Sequence, residues 1–388
     1  MKIVYILSST DPYGGATKSF MALLAGMLQK KHSAIVVVPD RKGIFECLCK
    51  MPVEVVALTY RPHTWTYSSS WQEIVLFSVR QIARLFVNWQ ASRKLCQIVG
   101  NRSVDVIHTN VSVIHIGSYL AKKKSIPHVY HYREYGAKDF GIRYFPTTSL
   151  YHHKLVSETQ FHIAITKDIW SCHNLNRMPL SKVIYNGVLT YSDQIELNYN
   201  TNYFLYAGRI EQSKGIEDLL NAYGSYIHQV DFPLPLYIAG HFLSLNYERK
   251  IKSLVHDLQI EGQVRWLGNQ DDMCGLYRNA RALIVPSLCE GFGRSMPEAM
   301  SCGCLVIGHN TGGTKEQFDN GYLYKHQEIG IRYSTVEELT AALVSVHQSR
   351  EHQFDEMRMS AFYTVNEFYS IEKYVDNIES YYIKMTVK

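Results

Sequence analysis

The chain has 388 residues, 46% hydrophobic and 19% charged, so it is globular, too long for one ordinary core, and suited to two domains of about 150 to 200 residues. The formal charge of +5 is too small to mark a nucleic-acid binder without a clustered basic face, and an anionic substrate or a membrane surface suits it equally well. Eight scattered cysteines and no secretory signal favour reduced thiols in a cytoplasmic setting over a disulfide framework. The C-x-C pairs Cys47/Cys49 and Cys302/Cys304 lack metal-site spacing and read as packing residues.

In chain order, KIVYILSS is a buried first strand, and TDPYGG turns it into a helix-like run from Ala16 to Lys30. Gly14 and Gly15 therefore stand where a first strand passes into a first helix, a place where parallel sheets receive phosphates. Two glycines in a turn are weak evidence alone, because they usually just make the turn. Neither a G-x-G-x-x-G fingerprint nor a Walker A loop occurs. Strand-like runs recur at Ala34–Pro39, Val53–Leu58, Val104–His108, His128–Tyr132, His162–Ile165 and Val183–Tyr185, with helical stretches between most of them. Such alternation predicts an α/β domain on a parallel, doubly wound sheet, spanning residues 1–190.

Residues 71–99 interrupt this rhythm with a long amphipathic run. Arg80 and Arg84 near its middle would each cost roughly 2.5 to 3.5 kcal/mol inside a bilayer, which excludes a transmembrane span. Leu76, Val79, Ile82, Ala83, Phe86 and Val87 keep helical spacing. The helix then lies either on its own domain's sheet, the commoner case, or on a membrane surface. Arg80, Arg84, Arg93, Lys94 and Arg102, with Trp65, Trp71 and Trp89, keep peripheral membrane contact through residues 65–102 open. Further on, PHVYHYREYG places His131 and Arg133 on one face of an extended strand, since side chains repeat every second residue. A hydrogen-bonded core histidine is the plain alternative for His131.

TYSDQIELNYNTNY, residues 189–202, is polar and aperiodic, and suits an interdomain linker. The second domain, residues 200–368, opens with the strand Tyr203–Ala207 and GRIEQSKG. Gly208 permits close backbone approach, Arg209 offers a planar fork, and Lys214 sets a point charge near the next helix start, together a diphosphate clamp. Strands follow at Leu236–Gly240, Val264–Gly268, Ala282–Val285 and Leu305–Gly308. Asp271 and Asp272 open a helix rather than mark a metal, and no D-x-D occurs, so no metal site is expected. After Val285 a loop carries Glu290, Gly291, Phe292, Gly293 and Arg294, and Glu298 follows on a short helix. The glycines let the backbone near a ligand, and the amides around Phe292–Ser295 suit an anion. Glu290 and Glu298 flank one crevice, although Ser295-Met296-Pro297-Glu298 also reads as a capping box. The last helix is expected at Ile371–Tyr382.

EGFGRSMPEAMSCGCLVIGHNTGGTKEQF resembles the E-x(7)-E segment of retaining glycosyltransferases of family 4, particularly bacterial members that build surface polysaccharides. DVIHTN, PHVYHYREYG, KVIYNGV, GRIEQSKG and WLGNQDDM extend the resemblance over most of the chain. It implies a GT-B fold: two Rossmann-like doubly wound parallel-sheet domains facing a cleft, with residues 369–388 crossing back to the first. It also implies transfer of a sugar, with retention, from a UDP- or GDP-linked donor to a glycan or lipid-linked oligosaccharide. No cofactor or metal is implied, and the setting is cytoplasmic, at the inner membrane face. Glu290 would contact the donor sugar, Glu298 the ribose, Arg209 and Lys214 the diphosphate, and Leu267, Gly268 and Asn269 would border the base. Gly14 and Gly15 would lie near diphosphate and acceptor. Many members end the second strand in His-Asp; here those two positions hold Arg133 and Glu134, leaving open whether His131 or Arg133 meets the sugar. A nucleotide-sugar epimerase of the same fold and a non-catalytic nucleotide-sugar-binding subunit are the alternatives.

Overall fold

A computed structural model describes residues 1–66, 71–136, 141–145 and 147–387, without the side chains of residues 65, 66, 71–74, 78 and 142. The chain divides into two compact units, Met1–Gly187 with Ile371–Lys388, and Val188–Ser370.

The first unit is built on strands β1 (Lys2–Ile6), β2 (Ser33–Val38), β3 (Glu54–Ala57), β5 (Val106–Thr109), β6 (His128–Tyr132), β8 (Phe161–Ala164) and β9 (Ser181–Val183), in the order β3-β2-β1-β5-β6-β8-β9. Every pairing is parallel. Runs such as IVYI and AIVVV are apolar at successive positions because both faces of the sheet are covered. Helix Gly15–Gln29 contributes Phe20, Leu23, Leu24 and Met27 to this core, and helix Ile371–Thr386 contributes Tyr374, Val375, Ile378, Tyr381 and Tyr382. Strand order turns at β1, which pairs with β2 on one side and β5 on the other, so the loops after β1 and β5 diverge at the carboxyl edge.

The second unit repeats the plan with β10 (Phe204–Ala207), β11 (Leu236–Ala239), β12 (Val264–Gly268), β13 (Ala282–Val285), β14 (Val306–His309) and β15 (Ile331–Tyr333), ordered β12-β11-β10-β13-β14-β15. Its pairings are again all parallel, and the turning point is β10, between β11 and β13. An antiparallel pair, β4 (Thr64–Thr66) with β7 (Ile142–Tyr144), belongs to the first unit and has no counterpart in the sequence expectation. Its three-residue strands, like β15, are too short to show a period. The run expected at Val183–Tyr185 pairs two residues earlier, as β9.

Helix Trp71–Val99 corrects one expectation. Leu76, Val79, Ile82 and Phe86 do not cover the sheet; they are 56%, 62%, 66% and 58% exposed. The buried side of this helix holds Gln81, Asn88, Ser92, Leu95 and Val99. The side chains of Trp65 and Trp71 lie outside the described residues, whereas Trp89 is exposed. Cys47 and Cys49 are exposed too, so their reading as packing residues fails, while Cys304 is buried as expected. Among the described residues no helix is long and apolar enough to cross a membrane.

Candidate functional site

At the turning point of the second sheet two loops emerge side by side, one after β10 and one after β13. The 3-10 turn Gln212–Lys214 is held against the second loop by a hydrogen bond from Leu288 N to Ser213 O, 3.0 Å. Gly215 closes the turn at φ +65°, and a Cβ there would lie 1.9 Å from Pro286 O, so only glycine allows this approach. The contact carries Lys214 Nζ to 2.8 Å from Glu290 Oε2, with both side chains mostly buried. Arg209 lies one turn earlier, is more exposed, and has its guanidinium 3.2 Å from Glu211. Tyr206 OH donates to Arg209 O, 2.6 Å, pinning the backbone at the start of this loop.

The Glu290 loop is fixed from behind. Gly313 N donates to Glu290 O at 2.7 Å, and the Gln317 amide donates to Phe292 O and Gly293 O. Phe292 is buried edge-on against Tyr369, ring centroids 5.4 Å apart. Gly293, at φ +79°, turns the backbone just past Glu290. Helix Ser295–Ser301 follows, and here the capping-box expectation fails. Ser295 is already helical, Arg294 occupies the N-cap position, and no side chain caps the helix. The Glu298 carboxylate is instead held by Arg294, at 3.0 Å from Nη2 and 3.1 Å from Nε, and reaches Tyr277 OH at 3.5 Å. Burial, reinforced by this carboxylate, pushes the Tyr277 phenol well above its ordinary range and keeps it a neutral donor.

Leu267, Gly268 and Asn269 lie at the same carboxyl edge, two strands from β10, where Gly240 N donates to Gly268 O at 2.8 Å. Asn269 Oδ1 meets His241 Nδ1 at 2.9 Å. The second unit thus gathers Lys214, Glu290, Gly291, Phe292, Gly293, Arg294 and Glu298 in adjoining loops, with Arg209 at the head of one and Leu267–Asn269 further along the edge.

In the first unit, helix Gly15–Gln29 starts at the end of the loop after β1, with Gly14 extended at its N-cap and no acidic residue in its first turn. His131 and Arg133 share a face, as expected, but that face is inside: they are 0% and 8% exposed. The Arg133 guanidinium donates to Asn110 O (3.0 Å) and Oδ1 (2.9 Å), Asn186 Oδ1 (2.6 Å) and Tyr374 OH (3.0 Å), and lies 3.2 Å from His131 Nδ1. His131 Nδ1 also lies 3.2 Å from His108 Nε2. Burial, and then the Arg133 charge, hold both imidazoles well below the ordinary histidine range, so both are neutral. Among the described residues His131 Nε2 is buried without a hydrogen-bond partner. Asn110 ends the motif DVIHTN and Asn186 lies within KVIYNGV, both just past strands that reach the same edge as Arg133; nothing local marks Tyr374.

Two Rossmann-like parallel-sheet units, the second with a cation and acid pair at its turning point, define the GT-B fold. A crystal structure of Anabaena HepE in complex with UDP superposes with a TM-score of 0.74 at 20% identity, covering 98% of this chain and 99% of that one. Residues 189–356, within the second unit, match the model of the family Glycosyl transferases group 1, and the fold is that of a GT-B protein. N-acetyl-alpha-D-glucosaminyl L-malate synthase of Bacillus anthracis is 24% identical over 251 residues, 59% of this chain and 64% of that protein. O-antigen chain mannosyltransferase B of Escherichia coli is 37% identical over 111 residues, 28% of each. The chain therefore spans less than two thirds of the length of these curated relatives.

Proposed function

We propose that the protein is a retaining glycosyltransferase that moves a sugar from a nucleotide-diphosphate donor, UDP- or GDP-linked, to a lipid-linked glycan at the cytoplasmic face of a membrane, in surface polysaccharide biosynthesis. The observation that carries this reading is the contact between Lys214 and Glu290 at the turning point of the second sheet. Breaking the bond between sugar and diphosphate leaves negative charge on the phosphate and positive charge at the anomeric carbon. Lys214, Arg209 and the loop amides Gly291–Arg294 meet the first electrostatically, without calling on a resident metal. Glu290, one side chain away, orients the donor hydroxyls, and Glu298 with Leu267–Asn269 takes the ribose and base. In the first unit Arg133 acts as a positioning residue that holds the buried His131 ring neutral and oriented beneath the carboxyl edge of the sheet. Gly14 and Gly15 open a helix start in the first unit that suits an anion. The leaving phosphate oxygen helps take the acceptor proton on the face it departs from, which retains configuration without a covalent nucleophile.

The test is an assay of nucleotide-sugar panels with membrane extract as acceptor. Nucleoside diphosphate released only when acceptor is present, with the α or β configuration of the donor kept in the product, supports transfer. An isomerised nucleotide sugar would make the protein an epimerase, and donor-induced thermal stabilisation without turnover on any acceptor a binding subunit.

A further inference from the structure

Helix Trp71–Val99 turns its polar side inward. Asn88 accepts from Arg61 N and donates to Arg61 O, both 2.8 Å, and contacts His63 Nε2 at 2.8 Å. Gln81 and Arg84 both donate to Thr64 O, at 3.4 and 3.0 Å, and Ser92 Oγ donates to Asn88 O. These bonds to residues 61–64 fix the rotation of the helix, because turning it over would strip buried amides of their partners. The opposite side is consequently apolar and open. Val75, Val79, Ile82, Phe86 and Trp89 follow one stripe at alternating steps of four and three residues, each 45% to 66% exposed. Phe86 and Trp89 stack at 5.9 Å, and Arg93 closes the stripe with its guanidinium 4.8 Å from the Trp89 ring.

Charge selects among the occupants of such a stripe. From Ile74 to Val104 the chain carries Arg80, Arg84, Arg93, Lys94 and Arg102 and no acidic residue. Lys123, exposed in the last turn of helix Ile116–Lys124, lies near Cys96, towards the carboxyl end of helix Trp71–Val99. A second copy docking through the same face would set these cations against one another, whereas an anionic lipid surface complements them and takes up the aromatic rings at headgroup depth. We infer that this stripe is a peripheral docking face for a bilayer containing anionic lipid, with Val75, Val79, Ile82, Phe86 and Trp89 entering the headgroup boundary and Arg80, Arg93 and Lys94 meeting lipid phosphates. The inference rests on the proposed placement at a membrane, not on the donor chemistry.

The full chain is mixed with sedimentable vesicles of phosphatidylcholine, with or without phosphatidylglycerol. Binding is expected to the mixed vesicles and to weaken at high salt. Replacing Ile82→Glu together with Phe86→Glu should lower the partition coefficient at least about tenfold, because acidic groups then enter the apolar boundary. Both positions are exposed, so the melting temperature stays that of the parent. Arg80→Glu with Arg93→Glu should remove the preference for phosphatidylglycerol. Equal binding by parent and the Ile82/Phe86 variant, or no binding by the parent to either vesicle, overturns the inference. So does a parent dimer in solution that this variant dissolves, which assigns the stripe to a second copy. Donor-induced thermal stabilisation, read on the same variants, belongs to the second unit and reports separately on the transfer reading.

Discussion

Lys214 Nζ lies 2.8 Å from Glu290 Oε2, although 76 residues separate the two in the chain. The pair exists because β10 and β13 are neighbours whose following loops share the carboxyl edge. Each charge holds the other in place, so on the proposed reading the cation is positioned before the donor arrives.

Lys214→Ala is expected to weaken UDP or GDP binding by about ten- to a hundredfold, the range of a hydrogen bond to a charged group. Titration calorimetry checks this, and unchanged affinity would sink the diphosphate assignment.

Glu290→Gln keeps the shape and removes the charge. Turnover should fall about a hundredfold, as when one preorganised electrostatic contact is lost, while nucleotide affinity changes little. A loss confined to KM would instead make Glu290 a residue of uniform binding.

Gly215→Ala strikes the same pair through the backbone. The left-handed conformation costs about 1–2 kcal/mol for a residue with a Cβ, and the methyl would meet Pro286 O. Lower stability in denaturant titration should come with weaker nucleotide binding, because the turn has to retreat from the Glu290 loop.

Arg133→Leu leaves Asn110, Asn186 and Tyr374 without their shared donor in a buried place. A loss of about 3 kcal/mol is expected, because buried amide oxygens lose a charged donor and are left unsatisfied. Arg133→Lys should recover little of it, since one ammonium cannot span partners that a planar fork reaches together. Thermal melts of the three proteins decide the matter.

Acid should unfold the first unit before the second. Burial lowers His63 and His128 to about 3, and His162 and His173 to about 4. These groups are neutral in the folded state and take up protons on unfolding once the pH drops below about 6.5, the ordinary value. The stability they contribute is whole above that value and is lost as pH falls through 6.5 towards 4 and 3, at roughly 1.4 kcal/mol per pH unit for each proton. Hydrogen exchange across pH 7 to 4 should show residues 1–187 opening first; the reverse order would contradict it.

Much of the architecture was legible because a parallel sheet covered on both faces writes its strands as unbroken apolar runs. His128–Tyr132 and Ala282–Val285 fall where those runs lie. That Lys214 and Glu290 come together was legible for a related reason, since both follow strand ends on one sheet. The orientation of helix Trp71–Val99 was not, because a period of 3.6 reveals two faces without saying which is inside; Asn88 and the 61–63 backbone decide that. Nor could Ser295 be read correctly, as a helix starting one residue earlier carries the same letters. Arg133 draws partners from two strand ends and from a helix 241 residues away, which no local pattern encodes.

Helix Ile371–Thr386 completes the core of the unit that begins the chain. During synthesis the intervening unit, residues 188–370, has everything it needs to fold before that helix leaves the ribosome. The opening unit does not: Tyr5, His108 and Arg133 wait for Tyr374 and Tyr382, which follow the whole of the second unit in the chain. Nascent chains stalled short of residue 371 should therefore hold a finished second unit and an unfinished, chaperone-prone first unit.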